Sequence, residues 1–182
     1  MAVVLVPLAQ GCEELEAVTI IDLLRRAQIT VVTAGLDDKP VHASRGVTLI
    51  PDTTLEAALK REYDMIVLPG GMPGADHLDR DARLRAALKA TSERGRFVAA
   101  ICAAPKALAS AGLLDHKRAT AYPGIMDNLT APGLTKTSEA VVCDGVVITS
   151  RGPGTAMDFA LMLIEKLAGR TKRDEVEHAL SR

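Results

Sequence analysis

A chain of 182 residues suits one domain with a full hydrophobic core. With 22 basic and 23 acidic side chains, a net charge of −1 and only 2% aromatic residues, it lacks both the basic footprint of a nucleic-acid or anionic-membrane binder and the aromatic platform of a single-strand binder. Hydrophobic residues at 48% against 25% charged exclude a disordered chain.

The opening "MAVVLVPLAQG" has no basic n-region, and its apolar stretch is too short to span a bilayer, so it reads as a first strand over residues 2–8. A helix is predicted over 13–27 ("EELEAVTIIDLLRRA"), then a short β-branched strand over 29–34. Residues 41–50 read as β structure around a Ser-Arg-Gly turn, followed by a helix over 54–60 and a buried strand in "DMIVLPGG" at 64–71. Next come a helix over 81–94, a strand in "RFVAAI", and a helix that begins just after Cys102. "RATAY" at 118–122 is a short strand, and "AVVCDGVVITS" is two strands joined by Asp-Gly. Helices over 155–168 and 172–180 close the chain. Continuous apolar strands between amphipathic helices predict a mostly parallel sheet covered on both faces, a three-layer α/β/α sandwich, with a single domain across 1–182.

In such sheets ligands sit beyond the carboxyl ends of the strands. Three segments fall there: "AQGCEE", "PGGMPGA" and "CAAP". The three cysteines, Cys12, Cys102 and Cys143, are an odd number without CxxC spacing, which argues against a disulfide framework or a zinc site and fits a reducing cytoplasm. No metal and no organic cofactor is expected.

Cys102 sits at a strand-to-helix turn flanked by Ala100, Ala103 and Ala104. An unperturbed thiol with a pKa near 8.5 is only about 3% ionised at pH 7, and helix N–H groups aimed at it favour the thiolate. Two readings stand: a reactive thiol, or a small buried filler. Glu13 and Glu14 read as charges that compensate the helix dipole. Glu16, surrounded by Leu15, Ala17, Val18, Ile20 and Ile21, reads as a carboxyl that burial protonates, able to hydrogen-bond a thiolate. "GGMPGA" matches neither a P-loop nor GxGxxG, so it is either a flexible turn or a source of backbone N–H groups for an oxyanion. "SRGPGTAMDF" has the same ambiguity, its glycines and Thr155 being sufficient to cap the last long helix. Of His42, His77, His116 and His178, none follows a strand in a way that brings it to Cys102, which counts against a Cys-His peptidase or an amidotransferase.

Five segments in order, "GCEELEAV", "SRGV", "YDMIVLPGG", "AAICAAP" and "TSRGPGTAMDFAL", make the chain similar to the ThiJ/PfpI family over residues 2–169, in the branch of the Parkinsonism-associated deglycase and the bacterial YajL-type proteins. The resemblance implies a flavodoxin-like, class I glutamine amidotransferase-like domain with the cysteine on a nucleophile elbow. It implies Cys102 as nucleophile, Glu16 as its carboxyl partner, and Gly70, Gly71 and Ala103 as the backbone around thiolate and oxyanion. Tyr122, Arg45 and Pro153 would border the pocket. A homodimer paired through the first helix is also implied, with Asp22, Arg26 and Arg45 at the interface. Where some relatives carry a histidine before the proline of "TAYPGIMDN", this chain has Tyr122, a poor base at neutral pH. Cys12 is not a typical residue of the family; it is either a resolving thiol or a small residue before a helix.

On that resemblance the expected function is a cysteine-dependent, glutathione-independent glyoxalase or protein deglycase, acting on methylglyoxal or its early adducts in oxidative and carbonyl stress. The expected substrate is a small aldehyde or a glycated protein. The alternative is a non-enzymatic redox sensor or stress chaperone in which Cys102 is oxidised to sulfinic acid. A cysteine peptidase ranks last, for want of a histidine.

Overall fold

The computed structural model describes residues 1–182. In chain order the strands are β1 (Val3–Leu8), β2 (Thr30–Gly35), β3 (Val41–His42), β4 (Thr48–Leu49), β5 (Thr53–Thr54), β6 (Met65–Leu68), β7 (Phe97–Ile101), β8 (Arg118–Ala119), β9 (Thr135–Lys136), β10 (Val141–Asp144) and β11 (Val147–Ser150). The helices are α1 (Glu14–Arg26), α2 (Leu55–Ala58), α3 (Gly74–Arg80), α4 (Ala82–Glu93), α5 (Pro105–Ser110), α6 (Pro123–Asn128), α7 (Ala156–Ala168) and α8 (Arg170–Ala179).

Seven strands form the central sheet in the order β10-β11-β7-β6-β1-β2-β5, parallel throughout except for the β10–β11 hairpin. Period-two alternation divides each strand between two cores. Val4, Val6 and Leu8 of β1 face Ala17, Ile20 and Leu24 of α1 and Phe159, Leu163 and Ile164 of α7. Leu5, with Ile66, Leu68, Val98 and Ala100, packs on the opposite side against Leu78, Leu84, Leu88 and Leu108 of α3, α4 and α5. The architecture is the predicted α/β/α sandwich. No helix is long and apolar enough to cross a membrane.

The chain leaves β1 toward β2 and later returns to place β6 on the other side of β1. Strand order therefore reverses between β1 and β6, and a crevice opens beyond their carboxyl ends. Gly11 to Glu13 follow β1, Gly70 to Pro73 follow β6, and Cys102 follows β7, so all three segments meet in that crevice.

Several local predictions are corrected. "GGMPGADHLDR" contains a helix, α3, whose first residue is glycine because a Cβ there would lie only 2.6 Å from the Cys12 nitrogen. Pro123 opens a second unpredicted helix, α6, directly after Tyr122. The strand expected at 118–122 shrinks to two residues, which pair with β9 outside the main sheet. The helix expected at 54–60 is the single turn α2, capped by Thr54. In the hairpin, Asp144 pairs with Val147, so the two loop residues are Gly145 and Val146 rather than Asp-Gly.

Phe159 is fully buried between α1 and the sheet. Phe159→Ala should cost about 3–5 kcal/mol of unfolding free energy, read by urea denaturation, because an aromatic-sized cavity opens where the layers meet.

Candidate active site

Cys102 occupies an elbow with φ +64°, a left-handed conformation that costs an L residue roughly 1–2 kcal/mol. Its surroundings hold it there. Its N–H donates to the Ser150 carbonyl at 3.0 Å, its own carbonyl accepts from Tyr122 N at 2.9 Å, and Ala104 N closes the turn on Ile101 O at 3.0 Å. The side chain is 8% exposed and sits at the base of an open pocket of about 450 Å³.

Glu16, in the first turn of α1, is 0% exposed and lies behind the thiol. Its Oε2 accepts from Gly70 N at 2.7 Å, whereas Oε1 is buried without a hydrogen-bond partner. The Cys102 side chain interacts with the same carboxyl. Burial is the larger cause that pushes Glu16 up to about 7, with the hydrogen bonds from Cys102 and Gly70 opposing it. Burial, followed by the Glu16 carboxylate, pushes the Cys102 thiol up to about 12, while the N–H groups of Gly71 and Ala103 pull it back down. Part of that rise is repulsion from an ionised Glu16; with the carboxyl protonated this part vanishes, while burial still opposes the thiolate and the two N–H groups favour it. The carboxyl, at about 7, is the member of the pair that titrates near neutrality.

This corrects the expectation that a helix N-terminus by itself ionises the thiol. Cys102 stands three residues before the first residue of α5, and that helix has only six residues. Its dipole is weak at the sulfur, and burial together with the neighbouring Glu16 holds the thiol up instead. Gly70 is corrected as well: its N–H serves the carboxyl of Glu16, and the donors at the sulfur are Gly71 and Ala103.

Close approach explains the glycines. A Cβ on Gly70 would meet the Cys102 Cβ at 2.7 Å, Glu16 Oε2 at 2.8 Å and the Ile101 carbonyl at 2.8 Å. Gly71 has φ +88°, and a Cβ there would fall 2.3 Å from Glu13 N. The Gly70–Gly71 segment leads into α3, and the Cys102 elbow leads into α5. Asp76 of α3 pairs with Lys106 of α5, which ties the two donor loops together.

Arg45, Gly71, Ala103, Tyr122 and Pro153 all line the pocket. Glu16 and Gly70 do not line it; they stand behind the thiol. Tyr122 is half exposed and caps α6, and Pro153 enters from the turn before α7. Asp22 and Arg26 lie away from the pocket, paired with each other at 2.7 Å on the exposed side of α1. Cys12 is completely buried, and burial, then the neighbouring Glu14 and Glu13, raise its thiol to about 11. No histidine lines the pocket.

Two roles escaped the sequence reading. Glu13 caps α1 by accepting from Glu16 N at 2.7 Å, which fixes the turn that carries Glu16. Glu14 is buried, and it accepts from Arg45 N at 2.9 Å, Val47 N at 3.3 Å and Ser44 Oγ at 3.3 Å. Despite the desolvation, those hydrogen bonds hold Glu14 below the usual carboxylate range, and they lock the β3–β4 turn at the pocket mouth. An acidic helix start followed by a distant Ser-Arg-Gly turn was the available signal, but a pairing 31 residues apart has no local signature.

The sequence profile of the DJ-1/PfpI family matches residues 2–166. The chain belongs to the DJ-1/PfpI family. Within this family it is 45% identical over 179 residues to Parkinson disease protein 7 homolog of Danio rerio, covering 97% of this chain and 95% of that one. It is 43% identical over 179 residues to Protein DJ-1 homolog A of Arabidopsis thaliana, of which it spans only 46%. It is 34% identical over 175 residues to a Caenorhabditis elegans protein named glutathione-independent glyoxalase DJR-1.2, covering 96% of this chain and 92% of that one. The structure of oxidized DJ-1 from Toxoplasma gondii superposes with a TM-score of 0.92 at 40% identity, covering 99% of this chain and 98% of that one.

Gly70→Ala should overpack the thiol–carboxyl contact. The expected result is a loss of about 1–3 kcal/mol in denaturant unfolding, together with a drop of more than tenfold in the alkylation rate of Cys102 by iodoacetamide.

Proposed function

We propose that the protein is a glutathione-independent glyoxalase that uses Cys102 as nucleophile and Glu16 as its proton carrier. The observation that carries this reading is the buried Glu16 carboxyl coupled to Cys102, with one oxygen unpartnered, behind a pocket without histidine. The thiolate adds to the aldehyde carbon of methylglyoxal, and the alkoxide gains a proton to give a hemithioacetal. Glu16 moves the proton from that carbon to the neighbouring one through an enediol, which leaves a lactoyl thioester. Water hydrolyses the thioester to lactate and returns the thiol. Gly71 and Ala103 N–H groups stabilise the oxyanion or the thiolate as charge develops. Early adducts of the same aldehyde with amines or thiols present the same carbon, so protein deglycation falls within this chemistry. The relative named as a glutathione-independent glyoxalase supports the reading.

A second reading is favoured by the same contact and by the oxidized relative. Peroxide oxidises the thiolate to sulfenic and then sulfinic acid, each step releasing water, and protonated Glu16 hydrogen-bonds the sulfinate. Turnover separates the two: an enzyme converts many aldehydes per thiol, and a sensor is spent after one oxidation.

Reduced wild-type protein should convert methylglyoxal to lactate without glutathione for many turnovers. The rate should rise with pH through about 7, as the Cys102–Glu16 pair loses its first proton. Cys102→Ala should remove about a thousandfold or more of the rate, and Glu16→Gln about 10²–10⁴-fold, at unchanged circular dichroism. A flat, glutathione-free blank in the reduced wild type would sink this reading.

We further propose a homodimer formed through α1. Leu15 and Val18 are 51% and 47% exposed on that helix, and Met157 of α7 is 44% exposed. Sedimentation equilibrium should give a dimer for the wild type and a folded monomer for Leu15→Asp.

A further inference from the structure

A second cavity, of about 340 Å³, runs along α4 on the side of the sheet opposite α1 and α7. Ile66, Ala87 and Ala90 give it an apolar floor, and four guanidinium groups, from Arg61, Arg83, Arg94 and Arg96, surround it. Cys102 is not part of its wall. Arg96 and Cys102 stand before and after β7, so roughly 15–20 Å of strand separates the two sites.

The charges are unevenly matched. Arg83 is paired with Asp81 at 2.6 Å. Arg94 and Arg96 share one carboxylate, Glu62, each at 3.0 Å and on different oxygens. Arg61 has no carboxylate partner; its guanidinium lies over the Tyr63 ring, 5.5 Å from the centroid. Two guanidinium forks thus share one carboxylate, and a third without a carboxylate partner lines the same cavity, in a chain whose net charge is −1. Glu62 marks the position of an oxyanion bridging Arg94 and Arg96, and its two oxygens leave Arg61 unanswered. A tetrahedral phosphate has oxygens for all three forks.

The geometry points to a binding site for an organic diphosphate of nucleotide size. Its phosphates engage Arg61, Arg94 and Arg96, and its apolar or planar body lies on the alanine and isoleucine floor. The cavity is within the range of small-molecule sites. Glu62, whose side chain is 54% exposed, is free to swing into water and acts as an internal competitor for the same guanidinium groups. Binding is therefore modest and weakens with salt. The site neither uses nor depends on the chemistry at Cys102.

Isothermal titration calorimetry of the reduced full chain at about 50 mM salt tests this, with ADP and inorganic pyrophosphate as probes. ADP should bind saturably at one site per chain, more tightly than pyrophosphate because only ADP reaches the floor. Arg61→Ala and Arg94→Ala should each weaken ADP by about tenfold. Glu62→Gln should tighten it several-fold, an opposite change that a folding defect does not produce. Arg45→Ala, at the pocket of Cys102, should leave it unchanged. No saturable heat with ADP at 10 mM, equal affinity in Arg61→Ala and Arg94→Ala, or weaker binding in Glu62→Gln would each overturn the assignment. So would loss of binding in Arg45→Ala, which would move the anion to the other pocket.

Discussion

Glu16 and Cys102 stand side by side where water is excluded, and that space tolerates one negative charge far better than two. Unit charges ~4 Å apart repel by roughly 4 kcal/mol at an effective dielectric of 20, equivalent to about three pKa units. That repulsion adds to burial, the larger cause for both groups, in setting a carboxyl at about 7 beside a thiol at about 12. The first ionisation falls near neutrality, because burial holds Glu16 up to about 7. The surroundings of each group bear on which of them keeps the remaining proton. Gly71 and Ala103 offer N–H groups to the sulfur, while the carboxyl has only Gly70 on one oxygen. The proposed function needs a nucleophile near neutral pH in a site without histidine or a strong helix dipole, and it therefore needs the proton to stay on Glu16 while Cys102 ionises.

The rest of the fold holds that contact at its required distance. The reversal of strand order beside β1 brings three loops to one crevice, so thiol, carboxyl and N–H donors arrive from separate parts of the chain. Gly70 lets the loop after β6 pass between Glu16 and Cys102 without a side chain. The left-handed elbow at Cys102 survives because β11 and the segment before α6 both hydrogen-bond its backbone. Glu13 fixes the turn of α1, and Glu14 fixes the turn bearing Arg45. The three opening acids of α1 thus perform three separate jobs, and a common role in dipole compensation does not describe them.

Much of this was legible in the sequence for physical reasons. The apolar runs of β1, β6, β7 and β11 can only be satisfied by burial on both faces, so the sandwich follows from them. Glu16 stood out because a carboxyl among Leu15, Ala17 and Ile20 has no solvent to face. The helix α3 stayed hidden because its Gly74 and the preceding proline are locally poor helix residues; Gly74 is required there because the backbone of Cys12 leaves no room for a Cβ. The role of Glu14 was also hidden, since its partners lie in a turn about 30 residues away. The ionisation of Cys102 was misjudged for a related reason. A strand-to-helix turn can be read from sequence, whereas the depth of burial and the shared proton depend on tertiary packing.

The most direct test is the ultraviolet absorbance of the Cys102 thiolate as a function of pH, measured on reduced protein as the difference between wild type and Cys102→Ser. The shared-proton account predicts that thiolate absorbance appears at or below about pH 7, together with the first ionisation of the pair. Absorbance that appears only above about pH 10 would mean that Glu16 ionises first and keeps the thiol protonated. That result would contradict the account and leave Cys102 without a nucleophilic form under physiological conditions.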